Sequence, residues 1–268
     1  IVDSLVGSEM CIRDRSKGIG RDIAEILLRK GFHLLLVARS LDNLKAIQTE
    51  FKKIAKEQVV TVFQADLSQS DSAKLIFDFT TEREIEIDIL VNNAGVGVSG
   101  AVDECSEEAM LKMMLLNMYS LTALCKYFSP QMKERRSGNI LNIASVAGYQ
   151  PVPYLAAYAA SKSYVLNFSD AIAMELEDYG VSVSCYSPGL TDTGFFDSAN
   201  IGEDDKFYGK KGRVSSKKVA RDAVEKMLKG KLSTIYGFKN KSMVLGGRLS
   251  PSRKFTARLS KKLVSQQK

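Results

Sequence analysis

The stretch GIGRDIAEILLRKGFHLLLVARS, residues 18–40, sets a glycine turn, an amphipathic segment and a short apolar run in immediate succession. From residue 19 to 30 the apolar positions recur at helical spacing with a polar outer face. Gly31 then stops the helix. FHLLLVA (32–38) is short and almost continuously apolar, as a strand covered on both faces must be. Outward from this unit the alternation repeats. VVTVF (59–63), IDILV (87–91), NILNIA (139–144) and VSVSCYS (181–187) read as further strands. Segments 41–56, 69–83, 106–135 and 156–179 read as helices, with Ser40 and Ser68 as N-caps of the first two. Such alternation implies right-handed crossovers. We read the chain as α/β: a Rossmann-type doubly wound parallel sheet of about seven strands, helices on both faces, in one domain.

Composition narrows the function classes. The chain has 268 residues, 45% of them hydrophobic, enough for one large α/β core. There is no run of about 20 uncharged apolar residues to cross a bilayer and no basic-then-apolar leader. Cys11, Cys105, Cys125 and Cys185 lack metal-like spacing and read as reduced thiols, which suggests a cytoplasmic protein. His33 is the only histidine and sits in an apolar run, so a histidine triad or histidine-rich metal site is excluded. The net charge of +7 is lopsided: residues 226–268 carry twelve Lys and Arg and no acid, leaving −5 on residues 1–225. A basic tail of this kind suits a solvated face, an anionic surface or an acidic partner. Nothing in the pattern calls for nucleic acid.

The glycines of GIG let backbone approach a pyrophosphate, and the helix they open offers N–H groups and a positive dipole end. Ser16, Lys17, Gly18, Ile19 and Gly20 are the candidate residues of that turn. The next strand ends in Arg39 rather than an acid, which fits the 2′-phosphate of NADP(H) better than the 2′-hydroxyl of NAD(H). Farther along, YAASK (158–162) puts Tyr158 and Lys162 four apart, on one helix face. Ser145 ends a strand in NIASVAG, NNAG (92–95) ends another, and Asn117 lies in the following helix. All these point to the carboxyl end of the sheet, where ligands bind in open α/β folds.

SKGIG, ADLS (65–68), NNAG, Asn117, Ser145, YAASK and SPGLTDT (187–193), in this order, resemble the short-chain dehydrogenase/reductase family over about residues 16–237. The resemblance is strongest to a broad branch of uncharacterised oxidoreductases. It implies a catalytic set of Asn117, Ser145, Tyr158 and Lys162. Tyr158 would exchange a proton with a carbonyl or alcohol oxygen, Ser145 would hydrogen-bond that oxygen, and Lys162 would lower the Tyr158 pKa. It also implies that Lys162 holds the nicotinamide ribose and that Asn117 positions a water. Asp66 and Leu67 would meet the adenine. Asn93, Ala94 and Gly95 would pass behind the ribose. Pro188, Gly189, Thr191 and Thr193 would hold the nicotinamide end. The implied activity is hydride transfer between NADP(H) and a small carbonyl or secondary alcohol, in a homodimer or homotetramer.

The departures are confined to the ends. Arg13 and Asp14 fall where the family's turn has Thr and its first Gly, and GSEMCI would have to supply the central strand, burying Glu9. We read residues 1–15 as foreign sequence joined to a domain spanning 16–240, or else as a divergent N-terminus. On either reading a protein of this fold with impaired cofactor binding and a binding or scaffold role is the alternative. Tyr149, Val152 and Tyr154, with Ser145, would line the substrate pocket, and Phe195 and Phe196 would begin a lid over 197–216. Residues 241–268 form a basic extension in which Phe255, Leu259 and Leu263 make the apolar stripe of a short helix. That helix would pack on its own domain, join a subunit contact or rest on an anionic membrane.

Overall fold

The computed structural model describes residues 9–13, 18–195, 199, 209 and 212–264, with the backbone alone at 9–13 and 263–264. Seven strands form one parallel sheet: β1 (Glu9–Arg13), β2 (His33–Ala38), β3 (Val60–Gln64), β4 (Ile87–Asn92), β5 (Gly138–Ile143), β6 (Val181–Ser187) and β9 (Ser233–Ile235). Their spatial order is β3-β2-β1-β4-β5-β6-β9. The order reverses direction between β1 and β4, the switch point where such sheets leave a crevice. A separate two-stranded ladder joins β7 (Thr191–Asp192) to β8 (Val214–Ser215).

Alternate strand residues feed two cores. Leu34, Leu36, Ile89 and Leu141 pack with α1 (Ile19–Leu28), α2 (Leu41–Ile54) and α7 (Ser216–Leu228) through Ile23, Leu27, Phe51 and Val219. Leu35, Val37, Leu90 and Ile140 face α3 (Ser72–Glu82), α5 (Ser120–Arg135) and α6 (Ala156–Glu177) through Ile76, Phe128 and Val165. Period-two alternation with both faces buried is what makes these strands read as unbroken apolar runs. His33 is structural, its Nδ1 accepting from the Val59 N–H at 2.8 Å. Among the described residues no helix is long and apolar enough to cross a membrane, and no cluster of metal-ligating side chains occurs.

Three local expectations change. Ser40 caps α2 by accepting from Asn43 N, but Ser68 caps nothing: α3 begins at Ser72, and the Ser68 hydroxyl and N–H both turn back to Asp66. The span 106–135 is not one regular helix. It divides into α4 (Glu107–Met114), a π-helical turn (Leu115–Tyr119) and α5. The tail is two helices, α8 (Phe238–Arg248) and α9 (Arg253–Val264), and α9 buries Thr256 and Ser260 while Phe255 and Leu259 are exposed.

Candidate active site

Four side chains from three elements converge beyond the carboxyl ends of β4 and β5. Ser145 follows β5 in extended conformation and its hydroxyl accepts from Ala147 N at 3.1 Å, opening a 3₁₀ turn over Val146–Tyr149. Ala144 N donates to Tyr186 O and Val146 N to Pro188 O, tying this loop to β6 and the segment after it. Tyr158 and Lys162 occupy the first turns of α6. The Lys162 ammonium donates to Ile143 O at 2.9 Å, so the lysine is aimed by the last residue of β5.

Asn117 sits inside the π-turn, 1% exposed. The extra residue of such a turn breaks the helical register, and π-turns collect at functional sites. Its amide is clamped from two sides. Oδ1 accepts from Val96 N at 3.0 Å, and Nδ2 donates to Val96 O at 3.0 Å and to Ser161 Oγ at 3.1 Å. Ser161 in turn donates to Tyr158 O at 2.7 Å. Ser161 is thus a positioning residue that sequence reading missed, although it stands within YAASK. Gly95 belongs to the same arrangement: a β-carbon there would lie 3.2 Å from Lys162 Nζ and 3.3 Å from Asn117 Oδ1.

The phenol of Tyr158 is buried beside Val152 and Leu155, with the Phe195 ring 5.0 Å from its own. Burial pushes its pKa up to about 12, against a lowering contribution from its hydrogen bond with Ser145. In this arrangement burial outweighs any lowering by the Lys162 charge. The ammonium stands 6.0 Å from the ring centroid and is bonded to Ile143 O, while the apolar walls keep the hydroxyl neutral.

These groups open into a cavity of about 1160 Å³. Gly18, Ile19, Asn93, Gly95, Pro188, Gly189, Thr191 and Thr193 line it, with Ser145, Tyr158 and Lys162. Gly18 has φ +92 and would press a β-carbon against Thr193 at 3.2 Å, so a glycine is needed for the turn to lie on this loop. Gly20 lies within the first turn of α1. Thr191 donates to Gly189 O at 3.0 Å, which rigidifies the loop.

Other expected residues lie apart. Leu67 is in the core and Ala94 packs against it. Asp66 and Arg39 follow β3 and β2, outside the cavity lining. Burial alone would raise the Asp66 carboxyl, but the Ser68 N–H and hydroxyl and the charge of Arg39 hold it below its ordinary value. Val152 and Phe195 line the cavity, but Tyr149 and Tyr154 do not. The Tyr149 ring is turned to the Arg248 guanidinium at 5.4 Å, and Tyr154 is exposed with φ +64. Their places are taken by Met243, Leu249, Phe255 and Leu259 from the tail. Ser16, Lys17, Phe196 and most of the expected lid lie outside the described residues.

A doubly wound sheet with a glycine-opened helix at its switch point, facing a Tyr–Lys–Ser–Asn set, defines a Rossmann-type oxidoreductase. The chain belongs to the short chain dehydrogenase family, whose model matches residues 10–204. It is 31% identical to a 3-ketodihydrosphingosine reductase of Bacteroides thetaiotaomicron over 72% of this chain and 67% of that protein. A short-chain dehydrogenase from Sphingobium yanoikuyae, solved with NADPH, superposes with a TM-score of 0.81 at 28% identity, covering 90% of this chain and 93% of that one. An alcohol dehydrogenase of Thermococcus sibiricus, solved with 5-hydroxy-NADP, gives 0.74 at 27% identity over 85% of this chain and 95% of that one.

Proposed function

We propose that the protein is an NADP(H)-dependent reductase of an apolar or amphipathic ketone, with Tyr158 as the proton donor. The observation that carries this reading is the single cavity joining the Gly18 turn to Tyr158, Ser145 and Lys162. Gly18, the N-terminus of α1, Gly95 and the Pro188–Thr193 loop suit a dinucleotide, because each brings bare backbone or a small side chain to the cavity wall. Arg39, exposed beyond β2, would meet a 2′-phosphate. When bound, the nicotinamide supplies or takes up the hydride.

This chain's own residues handle the oxygen. Ser145 and Tyr158 hydrogen-bond the carbonyl oxygen, and negative charge developing there strengthens both bonds. Tyr158 then gives up its proton to complete the alcohol. Lys162 stabilises the phenolate that remains, and Asn117 and Ser161 hold α6 to the loop after β4 so that the geometry survives turnover. Val152, Leu155 and Phe195 exclude water from the phenol.

A fluorescence titration of the chain with NADPH and NADH tests the proposal. Tight NADPH binding with weaker NADH binding is expected, and binding of neither would leave the impaired, scaffold-like reading in its place. Arg39→Ala should raise the NADPH dissociation constant about tenfold while leaving that for NADH unchanged, as expected for loss of one charge-assisted contact. An equal change for both cofactors would remove Arg39 from the 2′-phosphate site.

The direction of the Tyr158 shift makes a second expectation. A phenol with its pKa near 12 is protonated at neutral pH, ready to donate, and below that value its base form grows tenfold for each unit by which the pH rises. Ketone reduction should stay flat from pH 6 to 9, while alcohol oxidation climbs roughly tenfold per unit over pH 7 to 9. Initial rates in both directions check this, and an oxidation rate flat over that range would contradict it.

A further inference from the structure

The tail helices leave most of their large apolar side chains exposed. In α9 the buried residues are Thr256 and Ser260, while Phe255 and Leu259, one turn apart, stand 53% and 51% exposed. In α8 only Val244 is buried, and Phe238 and Leu245 are open, as is Leu249 just beyond it. Apolar side chains gathered in this way on a surface mark a contact with an apolar phase.

The charges beside them say what that phase carries. Lys254, Arg258 and Lys262 are exposed and lie at helical spacing along the flank of the Phe255–Leu259 row, away from Thr256 and Ser260. No acid interrupts residues 226–268, whereas residues 1–225 carry −5. An anionic surface would therefore draw in the tail and repel the body, orienting the molecule. A row of Phe and Leu edged by Lys and Arg is the pattern of a helix lying in a lipid interface. Phe238, Leu249, Phe255 and Leu259 also line the active-site cavity, beside Thr256 and Ser260.

We propose that α8 and α9 dock on an anionic phospholipid bilayer, so that the cavity opens onto the membrane and takes a long-chain ketone from it. The docking stands on the tail alone; the loading of substrate rests on the reductase reading above.

Co-sedimentation of the full chain with phosphatidylcholine vesicles, with and without about one third phosphatidylglycerol, tests the docking. Binding to the anionic vesicles should exceed binding to neutral ones at least tenfold. The variant Lys254→Glu/Arg258→Glu/Lys262→Glu should lower the partition coefficient about a hundredfold, at roughly fivefold per cation. Lys254→Arg/Lys262→Arg should bind as the parent does, and guards against a misfolded tail. The charge-reversed variant should still reduce a short, water-soluble ketone but lose turnover of a long-chain ketone presented in anionic vesicles. Equal binding to both vesicle types, no binding, or binding unchanged by charge reversal would overturn the docking. A dimer in solution that the charge-reversed variant dissociates would give the face to a second copy and overturn it too. A chain inert towards every ketone that still pellets with anionic vesicles would refute the reductase and leave the docking standing.

Discussion

Tyr158→Phe is expected to lower kcat for ketone reduction about a thousandfold with little change in KM or in NADPH affinity. General acid catalysis contributes about 10²–10⁴ in rate, and Tyr158 is the one phenol in the cavity bonded to Ser145. The substitution removes a single oxygen. Phe fits the same slot against Val152, Leu155 and Phe195, and Ser145 keeps its bond from Ala147 N. The variant should therefore melt within about 2 °C of the parent, a shift of no more than about 1 kcal/mol. Steady-state kinetics at saturating NADPH, with a thermal melt alongside, reads both quantities. A variant that keeps a tenth of the parental rate would assign the proton to another group.

The largest loss of stability is expected from Asn142→Leu, at a position that does not itself line the cavity. Asn142 is fully buried on β5. Its Oδ1 accepts from Asn92 Nδ2 on β4 at 2.9 Å, and its Nδ2 donates to Ser169 Oγ on α6 at 2.9 Å. Ser169 passes the chain on to Val165 O. Leucine keeps the heavy-atom count but is bulkier, and it takes one partner from each of two polar groups in a dry interior. At about 1–3 kcal/mol for each, the loss comes to about 3 kcal/mol, or a fall in Tm of about 6–12 °C. An unchanged melting midpoint would show that this ladder carries no stability. The ladder runs beside the site, from β4 through β5 to the helix bearing Tyr158 and Lys162. Residual enzyme in the variant should therefore lose kcat as well.

The five strands marked by apolar runs lie within one residue of where the pattern puts them, because β2, β4, β5 and β6 are buried along most of their length, whereas β3, at the sheet edge, is only partly buried. β9 was not legible: Ser233, Thr234 and Ile235 are never fully buried, so no apolar run announces an edge strand of this length. The π-turn was hidden for a different reason. It shifts the helical register without breaking the apolar pattern on either side, so Asn117 could be named but not its setting. Aromatic residues near Ser145 pointed rightly to a cavity, but not to which rings face it. Tyr149 turns to Arg248, a partner about a hundred positions away that no local pattern reveals. In the tail, the Phe255–Leu259 spacing gave the helix but not the direction its apolar row faces. A helical stripe says that an apolar neighbour is wanted, not that the neighbour is protein.

β1 has a consequence for how this fold tolerates change. Its five residues, EMCIR, pair in parallel with β2 on one side and β4 on the other. Those ladders are made by peptide groups, which every residue but proline supplies alike. The glycine turn that follows depends instead on what side chains leave out. The seam of the sheet is thus written in an alphabet almost any sequence can spell, and the ligand's berth in one that a single β-carbon can garble. Architecture and occupancy can part company within ten residues of chain, and a protein of this design can inherit the first without the second.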